Sequence, residues 1–212
     1  MTTGRKIQTG LIIFAVAFFY FGQTNAMPLP LKIVDKIVGW GHDTPKTARQ
    51  IDTIIIHSSY NAKSKDKLNV EKIIREYKRY NTSPHYLIAS DGAIYRLVKD
   101  QDIAYHAGKS KMPDGRTSVN NFSIGIELIN TESEGPSEAQ YSALASLVNF
   151  LKSQYNIKYV LGHSQIAQDR KTDPWNFDWG KFAKESNRQN RLTLLKILAS
   201  LQLDRIFNLK KF

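Results

Sequence analysis

The sequence predicts an α/β domain with a mixed central β-sheet flanked by helices, and three observations carry that expectation. Strand-like runs rich in apolar and β-branched residues occur at DTIIIHSS (52–59), NFSIGIELI (121–129) and KYVLGH (158–163). Segments with apolar residues at helical spacing lie between them. Two shorter runs, YLIAS and AIYRLV, flank Asp91-Gly92, a pair that tolerates the backbone of a tight two-residue turn.

Each element follows in chain order. MPLPLKIVDKIVGWGHDTPKT reads as an extended lead-in punctuated by Pro28, Pro30 and Pro45. DTIIIHSS is the pattern of a central strand buried on both faces, and His57 sits near its end. In LNVEKIIREYKRY, Val70, Ile73, Ile74 and Tyr77 share one helical face and Asn69 is the natural N-cap. The hairpin follows, and then the second buried strand, which contains Glu127. Ser137 with Gln140 three residues on forms a capping box, and Tyr141, Leu144, Val148, Leu151 and Tyr155 recur at helical spacing behind it. The last strand delivers His163. From about Asn187 the chain is leucine-rich and helical, with basic residues at both ends, which suits either a helix packed on the domain or one lying on a membrane or partner surface.

The 212 residues divide into a leader at 1–26, a lead-in at 27–49, one domain at 50–182 and the C-terminal helix at 183–212. The leader has a short basic start, an apolar run from Leu11 to Gly22, and small residues Thr24 and Ala26 for cleavage. That is the layout of a secretory signal peptide, and its apolar run of 12 residues is shorter than the roughly 17 to 25 of a spanning helix. The folded part is therefore expected outside the cytoplasm, in the periplasm or beyond it, as a monomer. The chain has no cysteine, which excludes a disulfide framework, a thiolate metal site, a cysteine nucleophile and lipidation at a mature N-terminus. The net charge of +11 is uneven: residues 181–212 carry eight bases against two acids, whereas residues 27–180 are close to balanced at +3. A basic tail on a nearly neutral domain points to an acidic polymer or an anionic membrane surface as neighbour, and the absence of a basic recognition motif argues against nucleic acid.

Chemistry concentrates in GHSQIAQDRKTDP (162–174), where His163, Lys171 and Asp173 share one loop. Histidine nitrogen and carboxylate oxygen are the donors zinc accepts in a chain without cysteine. His57 and His163 end neighbouring buried strands, so with Asp173 they would form a three-donor site with one position open for water. Taken singly, each histidine reads as an ordinary, hydrogen-bonded side chain; it is the joint pattern that points to metal. Glu127 lies within an apolar run, where an unpartnered carboxylate costs several kcal/mol in desolvation, unless the strand is an edge with Glu127 facing solvent. Lys171, an ordinary surface lysine by itself, is near enough to Asp173 to aim an ammonium at charge developing beside a metal.

These residues bring the chain to a family. IDTIIIHSS, SPHYLIASDGAIYRLV, YHAGKS, FSIGIELIN and GHSQIAQDRKTDP with the following FDW occur in order over roughly residues 50 to 180. Jointly they resemble the zinc-dependent N-acetylmuramoyl-L-alanine amidases, a group that includes phage lysozyme-like amidases, bacterial muropeptide amidases and peptidoglycan recognition proteins. The resemblance implies zinc ligation by His57, His163 and Asp173, with Glu127 as general base and Lys171 as oxyanion stabiliser. It places Tyr105 and His106 in the substrate groove and makes peptidoglycan or muropeptides the partner. The implied activity is hydrolysis of the amide between N-acetylmuramic acid and L-alanine, and the alternative is a non-catalytic recognition module of the same fold. Gln165, Gln168, Asp169 and Trp175 depart from the usual H-S-D-I-A-P-G-R-K-x-D-P-G pattern, so the loop's shape, rather than its metal donors, is where this chain differs.

Overall fold

The computed structural model describes residues 31–209, with side chains to residue 195; the leader assigned to residues 1–26 lies outside the described residues. In chain order the strands are β1 (Ile33–Asp35), β2 (His42–Asp43), β3 (Thr53–Ser59), β4 (Tyr86–Ile88), β5 (Ile94–Arg96), β6 (Ile103–Ala104), β7 (Ser123–Ile129) and β8 (Tyr159–Gly162). The α-helices are α1 (Val70–Tyr80), α2 (Glu138–Gln154), α3 (His163–Ala167) and α4 (Trp179–Leu209). Six strands form one sheet in the order β1-β5-β4-β7-β3-β8, antiparallel only at the β4–β5 hairpin, while β2 and β6 pair separately. The mixed sheet read from the sequence is therefore present, with helices on both faces.

Strand alternation explains the layering. Ile54 and Ile56 point to one face, where they join Ile124, Ile126 and the Tyr141, Leu144, Val148 and Leu151 stripe of α2. Ile55 points to the other face and packs with Ala107, Val119 and Ile166. On that second face α1 lays Ile73 and Ile74 over Leu87, Leu97 and Val98. Each fully buried isoleucine of β3 contributes on the order of 1.5–3 kcal/mol, so the strand that carries His57 is among the most firmly held parts of the molecule.

Local signals set the helix ends. The Asn69 side chain accepts from the Lys72 amide at 3.1 Å, and the Asn81 left-handed residue closes α1 while its Oδ1 accepts from Gly41 N. The Ser137–Gln140 capping box starts α2. Gln140 does a second job from its buried position, donating its amide to the carbonyls of Ile88 on β4 and Ile129 on β7 at 3.1 and 3.0 Å.

The structure departs from the sequence expectation in several places, among them the unexpected pairing of β2 with β6 and a three-residue β4–β5 loop, Ser90-Asp91-Gly92, in place of a two-residue turn. The lead-in is not merely extended: β1 adds an edge strand parallel to β5. The C-terminal helix begins at Trp179 rather than near Asn187, because Phe182 belongs to the core and Ser186 and Gln189 hydrogen-bond to Asn149 and Ser142 of α2. Its first turns are thus a packed part of the domain, crossing the expected boundary at residue 182. Beyond them Leu194 and Leu195 are exposed. Among the described residues, no helix is long and apolar enough to cross a membrane.

Candidate metal centre

The parallel pairing of β3 with β7 sets His57 directly across from Glu127. On the other side of β3, β8 ends at Gly162, so His163 opens α3 beside the same strand end. Asp173 returns from the following loop, anchored by its carbonyl accepting from Ser164 N at 2.7 Å. The three side chains that the sequence proposed as metal donors therefore meet. The Asp173 carboxylate lies 3.4 Å from His57 Nδ1 and 3.2 Å from His163 Nδ1, and the two rings are 4.4 Å apart between centroids. One donor atom from each residue falls within 4.8 Å of the others, and all three residues are buried.

The protonation state suits metal binding. Burial, against the opposing pull of Asp173, pushes the His57 imidazole down to about 4, so it is neutral near pH 7. His163 Nε2 faces the Ala107 carbonyl at 3.1 Å. A carbonyl only accepts, so that nitrogen carries a hydrogen, and Nδ1 is the ring atom turned toward Asp173 and the meeting point of the donors. Two imidazoles and a carboxylate converging in this way match the donor chemistry of zinc, with three protein donors and room for water. Burial first, and then the nearby Asp173 charge, push the Glu127 carboxyl up to about 8. Its Oε2 is shielded from water and has no hydrogen-bonding partner within the protein. Glu127 is thus no solvent-facing edge residue but a carboxyl held in reserve at the groove floor.

A groove of about 580 Å³ opens over this floor, and all seven residues singled out from the sequence line it: His57, Tyr105, His106, Glu127, His163, Lys171 and Asp173. Lys171 is exposed on its wall, and its ammonium charge acts on both Glu127 and His57. Tyr105 is half-buried, with its phenol raised by hydrogen bonding to Asp43. His106 is half-buried, with Nδ1 3.0 Å from His57 Nε2 and Nε2 3.1 Å from Ser123 Oγ. His85 is fully buried and structural, its Nδ1 accepting from Gly125 N at 3.0 Å. Sequence reasoning missed the rest of the wall: Tyr77 and Tyr80 from α1, Asn120, Arg170 and Trp175. It also missed Gly125. A Cβ there would come within 2.4 Å of His106 Cγ, so the glycine in SIGIELI is what lets that ring lie against β7. A glycine inside a buried strand was the available signal.

Fold and donor set together are those of an α/β amidase, and the chain belongs to the N-acetylmuramoyl-L-alanine amidase family, whose sequence pattern matches residues 47–176. Among particular relatives, it is 43% identical over 110 residues to the 1,6-anhydro-N-acetylmuramyl-L-alanine amidase AmpD of Escherichia coli (strain K12), covering 50% of this chain and 60% of that protein. It is 39% identical over 119 residues to the N-acetylmuramoyl-L-alanine amidase AmiD of the same strain, covering 50% of this chain and 40% of AmiD. The chain thus spans little more than half the length of the AmpD proteins it matches. Among solved structures, a selenomethionine AmpD derivative superposes with a TM-score of 0.63 at 29% identity, over 74% of this chain and 95% of that one. AmiD from E. coli, solved with the substrate anhydro-N-acetylmuramic acid-L-Ala-D-γ-Glu-L-Lys, superposes with a TM-score of 0.56 at 28% identity, over 66% of this chain and 59% of that one.

Proposed function

We propose that this protein hydrolyses the amide bond between the lactyl carbonyl of N-acetylmuramic acid and L-alanine in muropeptides, including those that end in an anhydro sugar. The observation that carries the reading is the meeting of His57, His163 and Asp173 beside Glu127, whose Oε2 is shielded and unpartnered, at the floor of an open groove. The names of the AmpD relatives and the muropeptide in the AmiD complex support the substrate class. All three donors and Glu127 are present together, which favours catalysis over a recognition module.

In this reading His57, His163 and Asp173 hold zinc, which when bound supplies the Lewis acidity that activates water and polarises a carbonyl at neutral pH. Glu127, in the carboxylate form that a zinc ion held beside it would favour over the protonated form that burial favours, takes the proton of the attacking water as the new carbon–oxygen bond forms. Its raised affinity for protons then makes it a competent donor to the departing alanine nitrogen as the carbon–nitrogen bond breaks. Lys171, on the wall of the same groove, offers an ammonium to the negative charge that develops on the carbonyl oxygen. Tyr105 contributes to the wall against which the substrate lies. The same proposal includes export, supported by the leader-like residues 1–26, and membrane-surface contact by the C-terminal helix, supported by exposed Leu194 and Leu195 beside its basic residues.

The test is direct. Purified protein supplied with zinc is incubated with soluble anhydro-muropeptide and, separately, with intact sacculi, and free stem peptide is followed by mass spectrometry. Peptide release from the soluble fragment is expected. No release from either substrate, with zinc bound at one equivalent, would overturn the activity.

A further inference from the structure

His106 lines the groove, yet neither of its ring nitrogens is free to meet a substrate. Nδ1 stands 3.0 Å from His57 Nε2, and Nε2 stands 3.1 Å from Ser123 Oγ. The Ser123 hydroxyl in turn lies 2.7 Å from the Val119 carbonyl. That carbonyl fixes the direction of the whole chain, because a carbonyl oxygen only accepts. Ser123 must donate to Val119, so its oxygen accepts from His106 Nε2–H. His106 Nδ1 is then the bare nitrogen, and it accepts from His57 Nε2–H. His57 is left with an unprotonated Nδ1, the atom that faces Asp173 and the meeting point of the three donors.

We propose that His106 is a positioning residue for the metal site rather than a substrate contact: with Ser123 it fixes the tautomer and ring orientation of His57. The assignment rests on the zinc reading above. Three packing features hold the relay in place. The His106 ring lies against Gly125, where any Cβ would collide with it, and it meets the His57 ring edge-on with centroids 5.1 Å apart. His85, tied to Gly125 N, stands 5.7 Å behind it. His57 is itself fully buried, so it has no water with which to replace a lost partner. The corresponding atom on His163 is fixed without a side-chain relay, by the Ala107 carbonyl, the residue next to His106. One short segment, His106-Ala107, thus orients both imidazoles. Partners behind metal-bound histidines of this kind carry about 10- to 100-fold in metal affinity.

The experiment compares zinc affinity, by competition with a chromogenic chelator, in the full-length wild type and in His106→Leu, His106→Asn and Ser123→Ala, with circular dichroism and thermal melting to verify folding. His106→Leu removes the acceptor and is expected to bind zinc about 10- to 100-fold more weakly. Asn supplies a side-chain oxygen close to the position of the lost Nδ1, so His106→Asn is expected to recover most of the loss. Ser123→Ala is expected to fall between wild type and His106→Leu, and it decides the matter if His106→Leu does not fold. Folded His106→Leu with wild-type zinc affinity and a raised KM would make His106 a substrate contact and overturn the inference alone. Wild-type protein that binds no zinc would remove the metal reading and this inference together.

Discussion

His57 and Glu127 face each other across a parallel β-ladder, seventy residues apart in sequence and one strand apart in space. The pairing gives the site its working geometry, because a neutral imidazole and a high-affinity carboxyl project side by side from two of the most buried strands. Neither can drift without the sheet moving, so substitutions here should alter chemistry before they alter fold.

Removing one donor should abolish the metal site. His163→Ala is expected to be isolated with well under one equivalent of zinc and to lose amidase activity, while retaining its circular dichroism. Zinc should also raise the melting temperature of the wild type but not of this variant, since a ligand present at a thousand times its Kd adds about 4 kcal/mol to a fold that binds it.

Glu127→Gln separates binding from turnover. The amide keeps the shape of the side chain but cannot take a proton, so kcat should fall about 10²- to 10⁴-fold with zinc content and KM close to wild type. Steady-state kinetics alongside metal analysis checks both halves.

The same variant tests the environment of that carboxyl in metal-free protein. Glu127 rises from its ordinary 4.5 to about 8 on folding, so its contribution to stability is complete below 4.5 and is lost as pH climbs through 8. His57, lowered from 6.5 to about 4, works in the opposite sense: its contribution is complete above 6.5 and is lost as pH falls through 4. Urea midpoints of chelator-treated protein should therefore drop between pH 5 and pH 8.5, and Glu127→Gln should remove most of that alkaline loss while leaving the acid side in place.

Lys171 should act on the rate. Lys171→Met keeps length and apolar stem but removes the charge, and kcat is expected to fall about 10²- to 10³-fold, the range for losing one oxyanion partner. Zinc affinity, which Lys171 does not support through any hydrogen bond to the three donors, should change little.

Gln140 gives a contrasting outcome, with stability lost and chemistry spared. Gln140→Ala breaks the capping box and leaves the Ile88 and Ile129 carbonyls without their side-chain donor, at a cost of about 2–3 kcal/mol. Denaturant unfolding should register that loss, with KM unchanged, because Gln140 lies on the α2 side of the sheet.

The fold was legible wherever one period dominated. β3, β7, β8, α1 and α2 appear where apolar spacing put them, and the Asn69 and Ser137 caps form as expected; the β4–β5 hairpin also forms, but around a three-residue loop, Ser90-Asp91-Gly92, instead of the two-residue turn read from Asp91-Gly92. β1, β2 and β6 were not legible: two or three residues are too few to show alternation, and their pairing is decided by long-range partners. The start of α4 was hidden because it is fixed by tertiary packing: Phe182 is buried in the core with α2, and Trp179, itself exposed, stacks edge-on against Phe177. In the site, spacing and residue type picked out His57, His163, Asp173, Glu127 and Lys171, and the structure brings all five to one groove. The direction of the His57–His106–Ser123 chain could not be read from sequence, since it depends on which atoms end up within reach of the Val119 carbonyl.

The donors hang from β3, the first residue of α3 and the loop tied to Ser58 and Ser164, whereas the groove's walls are built by α1, the 105–120 excursion and the 168–175 turn. Anchorage and tailoring overlap in that turn, which carries Asp173 as well as Trp175, whereas Tyr80 on α1 belongs to the wall alone. Tyr80 can therefore be exchanged without touching any donor, so changes there should alter what the groove admits while the meeting of His57, His163 and Asp173 stays intact.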